Sequence, residues 1–473
     1  MKFNLLLLAA ISNLTLAIPL SNEKNDNPYL VCKKNDFNCK IEQSKICYQD
    51  VYSCFKTNSK KYMDCIKLSN LCSEIWLNNK PEPQPTQTNE QEPQPTQINE
   101  PVINSFEPIK DNVKIIGRAK YINDSLWFGQ TDSGIEFKIN GKTVTFVVST
   151  DSIYGSLSKE SPARIFIYGD DKLYLDTLTT ESTMELNVEF DEVGEHTIRF
   201  LKVSECLFGS IYIDEIRTDS NVITPTETKT KKIEFIGDSI TCAFGAMDTE
   251  GDFTTTTEDG TKSYAYKVAQ KFNADYSLFA FSGYGVYSGC DFEGIRNTNS
   301  LIPPIYDKLG DLQWNSIHPE NVTHSMNSEE WDSNEFEPDL IIINLGTNDA
   351  AYINSVPDND KREEEKINFT NYYKDFIGQV RSIHSKAEIL CTLGAMGQDL
   401  YQEIEVAVDN YLKENNDNKV NVFPLNLQDI EKNGVGILFH PNALSQVDIA
   451  NEIIEKIETL YSWVSDPNVD ISE

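Results

Sequence analysis

Basic residues are scarce in this 473-residue sequence: 41 Lys and Arg stand against 74 Asp and Glu, a formal net charge of −33. That balance excludes a nucleic-acid partner, because a phosphate backbone requires a basic surface. An uncharged or cationic substrate is compatible with it. Long apolar runs are missing too. Beyond the N-terminus no stretch reaches the roughly 18 apolar residues of a membrane span, so no membrane partner is expected. The N-terminal pattern itself is too short to span: Lys2, an apolar run from Leu5 to Ile11, then Thr15-Leu16-Ala17. It has the form of a secretory signal over residues 1–17, which makes the mature protein secreted and extracellular. Histidine is rare, five in all and scattered, without metal-ligand spacing, so neither a metal nor a cofactor is expected.

Cysteine, by contrast, is concentrated. Six of the ten, Cys32, Cys39, Cys47, Cys54, Cys65 and Cys72, form three copies of Cys-x6-Cys. So small a segment needs covalent staples, and residues 18–79 read as a disulfide module with fifteen possible pairings. Residues 80–101 are a Pro/Gln/Thr/Glu tandem repeat, a semi-rigid spacer. Asn123, Asn321 and Asn368 each open an Asn-x-Ser/Thr glycosylation site.

Two larger patterns follow. Residues 102–222 alternate apolar and polar at period two between Gly, Asp and Asn turns, as in Gly134–Gly141, Thr143–Val148, Ala163–Tyr168, Glu195–Phe200 and Gly209–Asp214. Roughly eight short strands are expected, in an all-β jelly-roll sandwich. Residues 230–465 alternate near-continuous apolar strands (Ile233–Gly237, Tyr276–Phe281, Leu340–Leu345, Ile389–Leu393, Val420–Phe423) with helical periodicity. That predicts an α/β domain, a parallel sheet covered on both faces, with its chemistry at the carboxyl ends of the strands.

Those strand ends are distinctive. The first runs into Gly237-Asp-Ser239-Ile-Thr, the second into Ser282-Gly283-Tyr-Gly285, and the third into Asn344-Leu-Gly-Thr-Asn348-Asp. Phe439-His440-Pro441 precedes the last helix, and His440 is the histidine positioned to serve a serine at the strand tips. Singly, each is more often a turn or cap residue; four at successive strand ends point to nucleophilic chemistry. Tyr284, Trp331 and Tyr401 are candidate sugar-stacking residues. Cys242 reads as a small buried filler.

The Gly237-Asp-Ser-Ile-Thr, Gly283, Gly346-Thr-Asn-Asp and His440-Pro blocks resemble the SGNH (GDSL-type) hydrolases. The longer stretches Lys232–Cys242, Ala280–Tyr287, Pro338–Asp349 and Gly394–Met396 are similar to carbohydrate esterase family 2, the acetylxylan-esterase type. The resemblance covers roughly Gly117 to the C-terminus. It implies an SGNH three-layer α/β/α domain behind a jelly-roll, with Ser239 as nucleophile and His440 as general base. It further implies an oxyanion hole from the Ser239 and Gly283 N–H groups and the Asn348 side chain, with Asp238 structural. The implied activity is removal of acetyl groups from plant-cell-wall polysaccharide, acetylxylan or acetylated mannan, through an acetyl-serine. There is one departure: Ile437 and Leu438 stand where an acid often orients the histidine. A Ser–His dyad with a main-chain carbonyl behind the imidazole is therefore expected, with Asp429 the weaker candidate. The missing acid also keeps open a carbohydrate-binding protein with a degenerate site. An esterase of other acyl groups is disfavoured by the polar insertion Ser300–Glu337.

Overall fold

The computed structural model describes residues 39–40, 43–47, 102–151, 161–312, 316–317 and 323–472. The chain divides into two compact units, Met1–Ile98 and Asn99–Glu473. In the first, residues 39–40 and 43–47 are helical, and Cys39 and Cys47 each take part in a disulfide. The expected signal segment, the other four module cysteines and the repeat spacer lie outside the described residues.

The second unit opens with a ten-stranded antiparallel sheet. Its centre differs from the sequence expectation. The segments Gly134–Gly141 and Thr143–Val148 are not two short strands but parts of one 18-residue strand, Ser133–Thr150, paired with the 20-residue strand Thr183–Lys202. The Asn140-Gly141 pair resembles a turn, yet the chain bends there through a bulge between Gly141 and Thr143. The extra residue changes the phase of the alternation: Ile135, Phe137 and Ile139 face the core before it, Val144, Phe146 and Val148 after it. Asp219 fills the gap in the ladder, its Oδ1 accepting the N–H groups of Lys142 (2.8 Å) and Thr143 (2.9 Å). Asp219→Ala should cost about 1–3 kcal/mol in urea unfolding, with Asp219→Asn losing less. Equal stability of the alanine variant and the native chain would deny the carboxylate this role.

Five parallel strands follow: β1 (Lys232–Gly237), β2 (Asp275–Ala280), β3 (Leu340–Asn344), β4 (Glu388–Ala395) and β5 (Val420–Leu427). The helices are α1 (Ser239–Cys242), α2 (Tyr264–Lys271), α3 (Thr347–Ser355), α4 (Asn359–Ile383), α5 (Tyr401–Asn415), α6 (Ile430–Asn433) and α7 (Ala443–Tyr461). Alternate strand residues serve two cores. Phe235, Leu340, Ile342 and Leu390 pack with α2 and α7, while Ile236, Ile341, Ile343 and Ile389 pack with α4 and α5. The sheet order is β2-β1-β3-β4-β5, so the chain leaves β1 to one side for β2 and lands on the other for β3. Such a switch opens a crevice at the carboxyl ends of the strands.

Arg118, from the antiparallel region, is buried against β1. Its guanidinium lies 3.0 Å from the Glu234 carboxylate and donates to the carbonyls of Tyr306 and Lys308 at 2.7 Å each. Tyr306 donates its hydroxyl to the other Glu234 oxygen at 2.6 Å. Each buried charge is thus paired and hydrogen-bonded, the condition under which such a pair is tolerated. Among the described residues, no helix is long and apolar enough to cross a membrane.

Candidate active site

Four strand-end segments converge on the crevice. After β1 the chain turns sharply at Gly237, where a Cβ would come within 2.0 Å of the Thr241 hydroxyl oxygen, and enters α1, a single turn. Ser239 is 6% exposed there. Asp238 is fully buried and accepts the Ile240 N–H at 3.0 Å. Burial, aided by the charge of Asp349, pushes its carboxyl up to about 7. An acid so committed to a backbone donor is a support for the turn.

His440 reaches the serine from the far end of the chain. Its Nε2 lies 2.9 Å from Ser239 Oγ, and its Nδ1 lies 3.0 Å from the carbonyl oxygen of Ile437. A carbonyl only accepts, so Nδ1 must carry the proton and Nε2 presents its lone pair to the serine hydroxyl. The carboxylate of Asp429 caps α6 on the Lys432 N–H instead. The Ile437 carbonyl is aimed by a tight turn in which Leu438 (φ 51°) and Phe439 (φ 63°) adopt left-handed backbone. Each such residue stores roughly 1–3 kcal/mol and persists only where its surroundings impose it. Here Ile437 N–H donates to Gly245 O (3.0 Å), Gly436 N–H to His440 O (2.7 Å), and the Gln428 amide to Phe439 O (2.8 Å).

The loop after β2 carries Gly283, half-buried and at φ 81°, a backbone region that glycine occupies without strain. Asn348, in the first turn of α3, is 8% exposed; its amide donates to the Tyr284 carbonyl at 2.8 Å and lies 3.4 Å from Asp238. One N–H is thus tightly held and the other only loosely engaged. Asp349 is buried and accepts the N–H groups of Val286, Tyr287 and Ser288 at 3.2, 2.7 and 2.8 Å, which fixes the loop leading away from Gly283. Burial raises its carboxyl to about 6 against those three bonds.

A serine activated by an oriented imidazole, beside glycine and asparagine donors, is equipped for acyl transfer. A family model described as GDSL-like lipase/acylhydrolase matches residues 233–453. The chain carries a GDSL-type acylhydrolase domain. Among known proteins, the chain is similar to the cellulase/esterase CelE of Acetivibrio thermocellus, with 29% identity over 60% of this chain and 32% of that protein. It therefore spans about a third of the length of that relative. An acetylxylan esterase / glucomannan deacetylase of Cellvibrio japonicus is 22% identical over 74% of this chain and 90% of its own. Two solved structures share the fold. One is an acetyl xylan esterase (Est2A) from Butyrivibrio proteoclasticus, with TM-score 0.66 and 21% identity over 76% of this chain and 99% of that one. The other is a family two carbohydrate esterase from Clostridium thermocellum in complex with cellohexaose, with TM-score 0.63 and 23% identity over 74% and 100%.

Two of the aromatic residues singled out from the sequence stand elsewhere than expected. Tyr284 is 5% exposed, packed in the core of the GDSL-type domain with its hydroxyl donating to Asp311 at 2.7 Å, so it offers no ring face to a sugar. Trp331 lines a cavity of about 320 Å³ beside Lys232 and Asp275, the first residues of β1 and β2, at the opposite end of the strands from Ser239. Tyr401 opens α5 and packs, half-buried, on the core cluster. The aromatic surface beside the Ser239–His440 pair is another set. Phe244 lies 4.6 Å from the imidazole, stacks on Phe253 at 4.0 Å, and Phe253 on Phe208 at 4.7 Å. Leu438 and Phe439 stand 69% and 70% exposed next to His440. These residues lie in loops and single 3₁₀ turns, too short for any periodicity to mark them.

One further acid was not read from the sequence. Glu205, on the turn after strand Thr183–Lys202, is fully buried with Cys242 and Glu258, and the three offer ligand atoms at metal-like spacing. Both Glu205 oxygens are engaged by Ser282, and one Glu258 oxygen accepts the Glu205 N–H at 3.1 Å, while Glu258 Oε1 is buried without a hydrogen-bond partner. Burial pushes the Cys242 thiol well up, favouring its protonated form.

Proposed function

We propose that the protein is a secreted carbohydrate O-acetyl esterase that removes acetyl groups from plant-cell-wall polysaccharide, acetylxylan or acetylated mannan. The observation that carries this reading is the 2.9 Å contact between Ser239 Oγ and His440 Nε2, with Nδ1 on a main-chain carbonyl. Ser239 Oγ attacks the acetyl carbonyl carbon as its proton passes to His440 Nε2. The oxyanion is received by the N–H groups of Ser239 and Gly283 and by the Asn348 N–H that lies at 3.4 Å from Asp238. Collapse breaks the bond to the sugar oxygen, which leaves with the proton from His440. Water, deprotonated by His440, then releases acetate from acetyl-Ser239.

The same reading takes the antiparallel region as a jelly-roll sandwich and residues 1–17 as a secretory signal. Residues 18–79 become a disulfide module, on the 80–101 spacer, that docks to carbohydrate or to a scaffold. It is supported by two relatives named for acetylxylan or acetyl xylan esterase activity and by a structural neighbour solved with cellohexaose. Acetate released from acetylated xylan and glucomannan tests it, with Ser239→Ala protein as the blank. Release no faster than the blank would favour a carbohydrate-binding protein with a degenerate site; release only from longer acyl esters would move the chain to a different acyl substrate.

The pH dependence follows from His440. Burial disfavours the imidazolium and lowers its pKa from 6.5, while the Ile437 and Leu438 carbonyls act in the opposite sense. The neutral base should therefore be present at pH 7 and lost on acidification with a midpoint below 6.5. Proton NMR titration of the imidazole, assigned with His440→Gln, should give that value; a midpoint above 6.5 would mean that an unseen anion faces the ring.

A further inference from the structure

Glu205 belongs to the antiparallel region, on the turn between strands Thr183–Lys202 and Ile211–Thr218, yet its carboxylate sits beneath the crevice of the parallel sheet. One oxygen accepts the Ser282 hydroxyl at 2.5 Å, and the other accepts the Ser282 N–H at 2.8 Å. Ser282 immediately precedes Gly283, so the direction of the Gly283 N–H is set by the peptide plane between them. The far side of Gly283 is fixed as well, its carbonyl accepting the Cys290 N–H at 2.8 Å.

The turn that delivers Glu205 is itself rigidly held. Lys202 is fully buried, and its ammonium donates to the carbonyls of Gly129, Ser204 and Glu205 at 2.8, 2.6 and 2.8 Å. Three residues further on, Phe208 begins the ring stack that ends on His440. One turn of the antiparallel region therefore touches both halves of the site. A carboxylate with no exposure costs several kcal/mol to desolvate, which a simple interface contact between domains does not require. Burial raises the Glu205 acid to about 6, with the two Ser282 bonds and Lys202 favouring its charged form.

We propose that Glu205 is a positioning residue for the ester chemistry, holding Ser282 so that the Gly283 N–H is aimed at the developing oxyanion. The proposal rests on the esterase reading above. It makes the antiparallel region a working part of the catalytic apparatus rather than an appendage beside it.

The test uses the full chain and 4-nitrophenyl acetate, with every rate normalised to active sites counted from the 4-nitrophenol burst. Glu205→Gln and Ser282→Ala should each lower kcat per active site, and Glu205→Ala should lower it by roughly 10- to 100-fold, the scale of a misplaced catalytic group. KM should stay within about twofold in all three. The double variant Glu205→Ala with Ser282→Ala should fall no further than Glu205→Ala alone, since both remove one interaction. A merely structural role would reduce the number of active sites and leave kcat per site unchanged. Wild-type kcat per site in both Glu205→Gln and Ser282→Ala would overturn the positioning role alone. A native protein no faster than Ser239→Ala would overturn it together with the esterase reading.

Discussion

Ser239→Ala should lower kcat for acetyl ester hydrolysis by roughly 10⁴-fold or more, with the fold unchanged. The serine hydroxyl is the group that forms the covalent bond, and it is the hydroxyl that His440 Nε2 meets, at 2.9 Å. Losses of this order attend removal of the nucleophile in serine hydrolases, where only the oxyanion donors and binding remain. His440→Ala should give a loss of similar size, and the double variant should lose little more than either single one. Nucleophile and base act as a unit, so the second deletion finds nothing left to remove. Stopped-flow measurement of the 4-nitrophenol burst checks both claims. A burst that survives in Ser239→Ala would mean that the acyl group is carried elsewhere. Losses that multiply in the double variant would mean that the 2.9 Å contact is not the proton-transfer path.

Asn348→Ala should lower kcat by about 10²–10³-fold, equivalent to about 2.7–4 kcal/mol of transition-state stabilisation. The Asn348 amide has one N–H held at 2.8 Å by the Tyr284 carbonyl, which orients it, and a second facing Asp238 at a long 3.4 Å. Exchanging that long contact for a bond to an oxyanion costs little in the ground state and gains only when negative charge develops. The loss should accordingly fall on kcat, with KM nearly unchanged. Asn348→Asp keeps the size but turns a donor toward the oxyanion into an acceptor, so it should be at least as damaging as alanine. A rise in KM at constant kcat would instead assign Asn348 to substrate binding.

The parallel sheet was legible because its strands are buried on both faces: Leu340-Ile-Ile-Ile-Asn344 admits no half-exposed reading. Once those strands were set, their carboxyl ends brought Ser239, Gly283 and Asn348 together by topology, and His440 followed from where the other histidines stand. The antiparallel region was less legible. Asn140-Gly141 has the composition of a hairpin turn, and only the Asp219 carboxylate, 78 residues further along the chain, makes it a bulge in a continuous strand. Neither the burial of Tyr284 nor the place of Trp331 beside the first residues of β1 and β2 was legible, because an aromatic residue carries no mark of which way its ring turns. Glu205 was invisible for a similar reason. It precedes Ser239 by 34 residues, belongs to no motif, and acquires its meaning from a contact between two differently built regions.

The support of His440 by the Ile437 carbonyl has a genetic consequence. In a site with an acidic third member, a point-mutation screen finds three side chains whose loss silences the enzyme. Here the proton relay offers two, Ser239 and His440, because the third function is written in main-chain conformation, which another apolar side chain of similar size at the buried position 437 would preserve. The vulnerable feature is length. Deleting or inserting one residue between Gly436 and His440 would rotate that carbonyl away from Nδ1, so this short turn should tolerate substitution far better than any change in its number of residues.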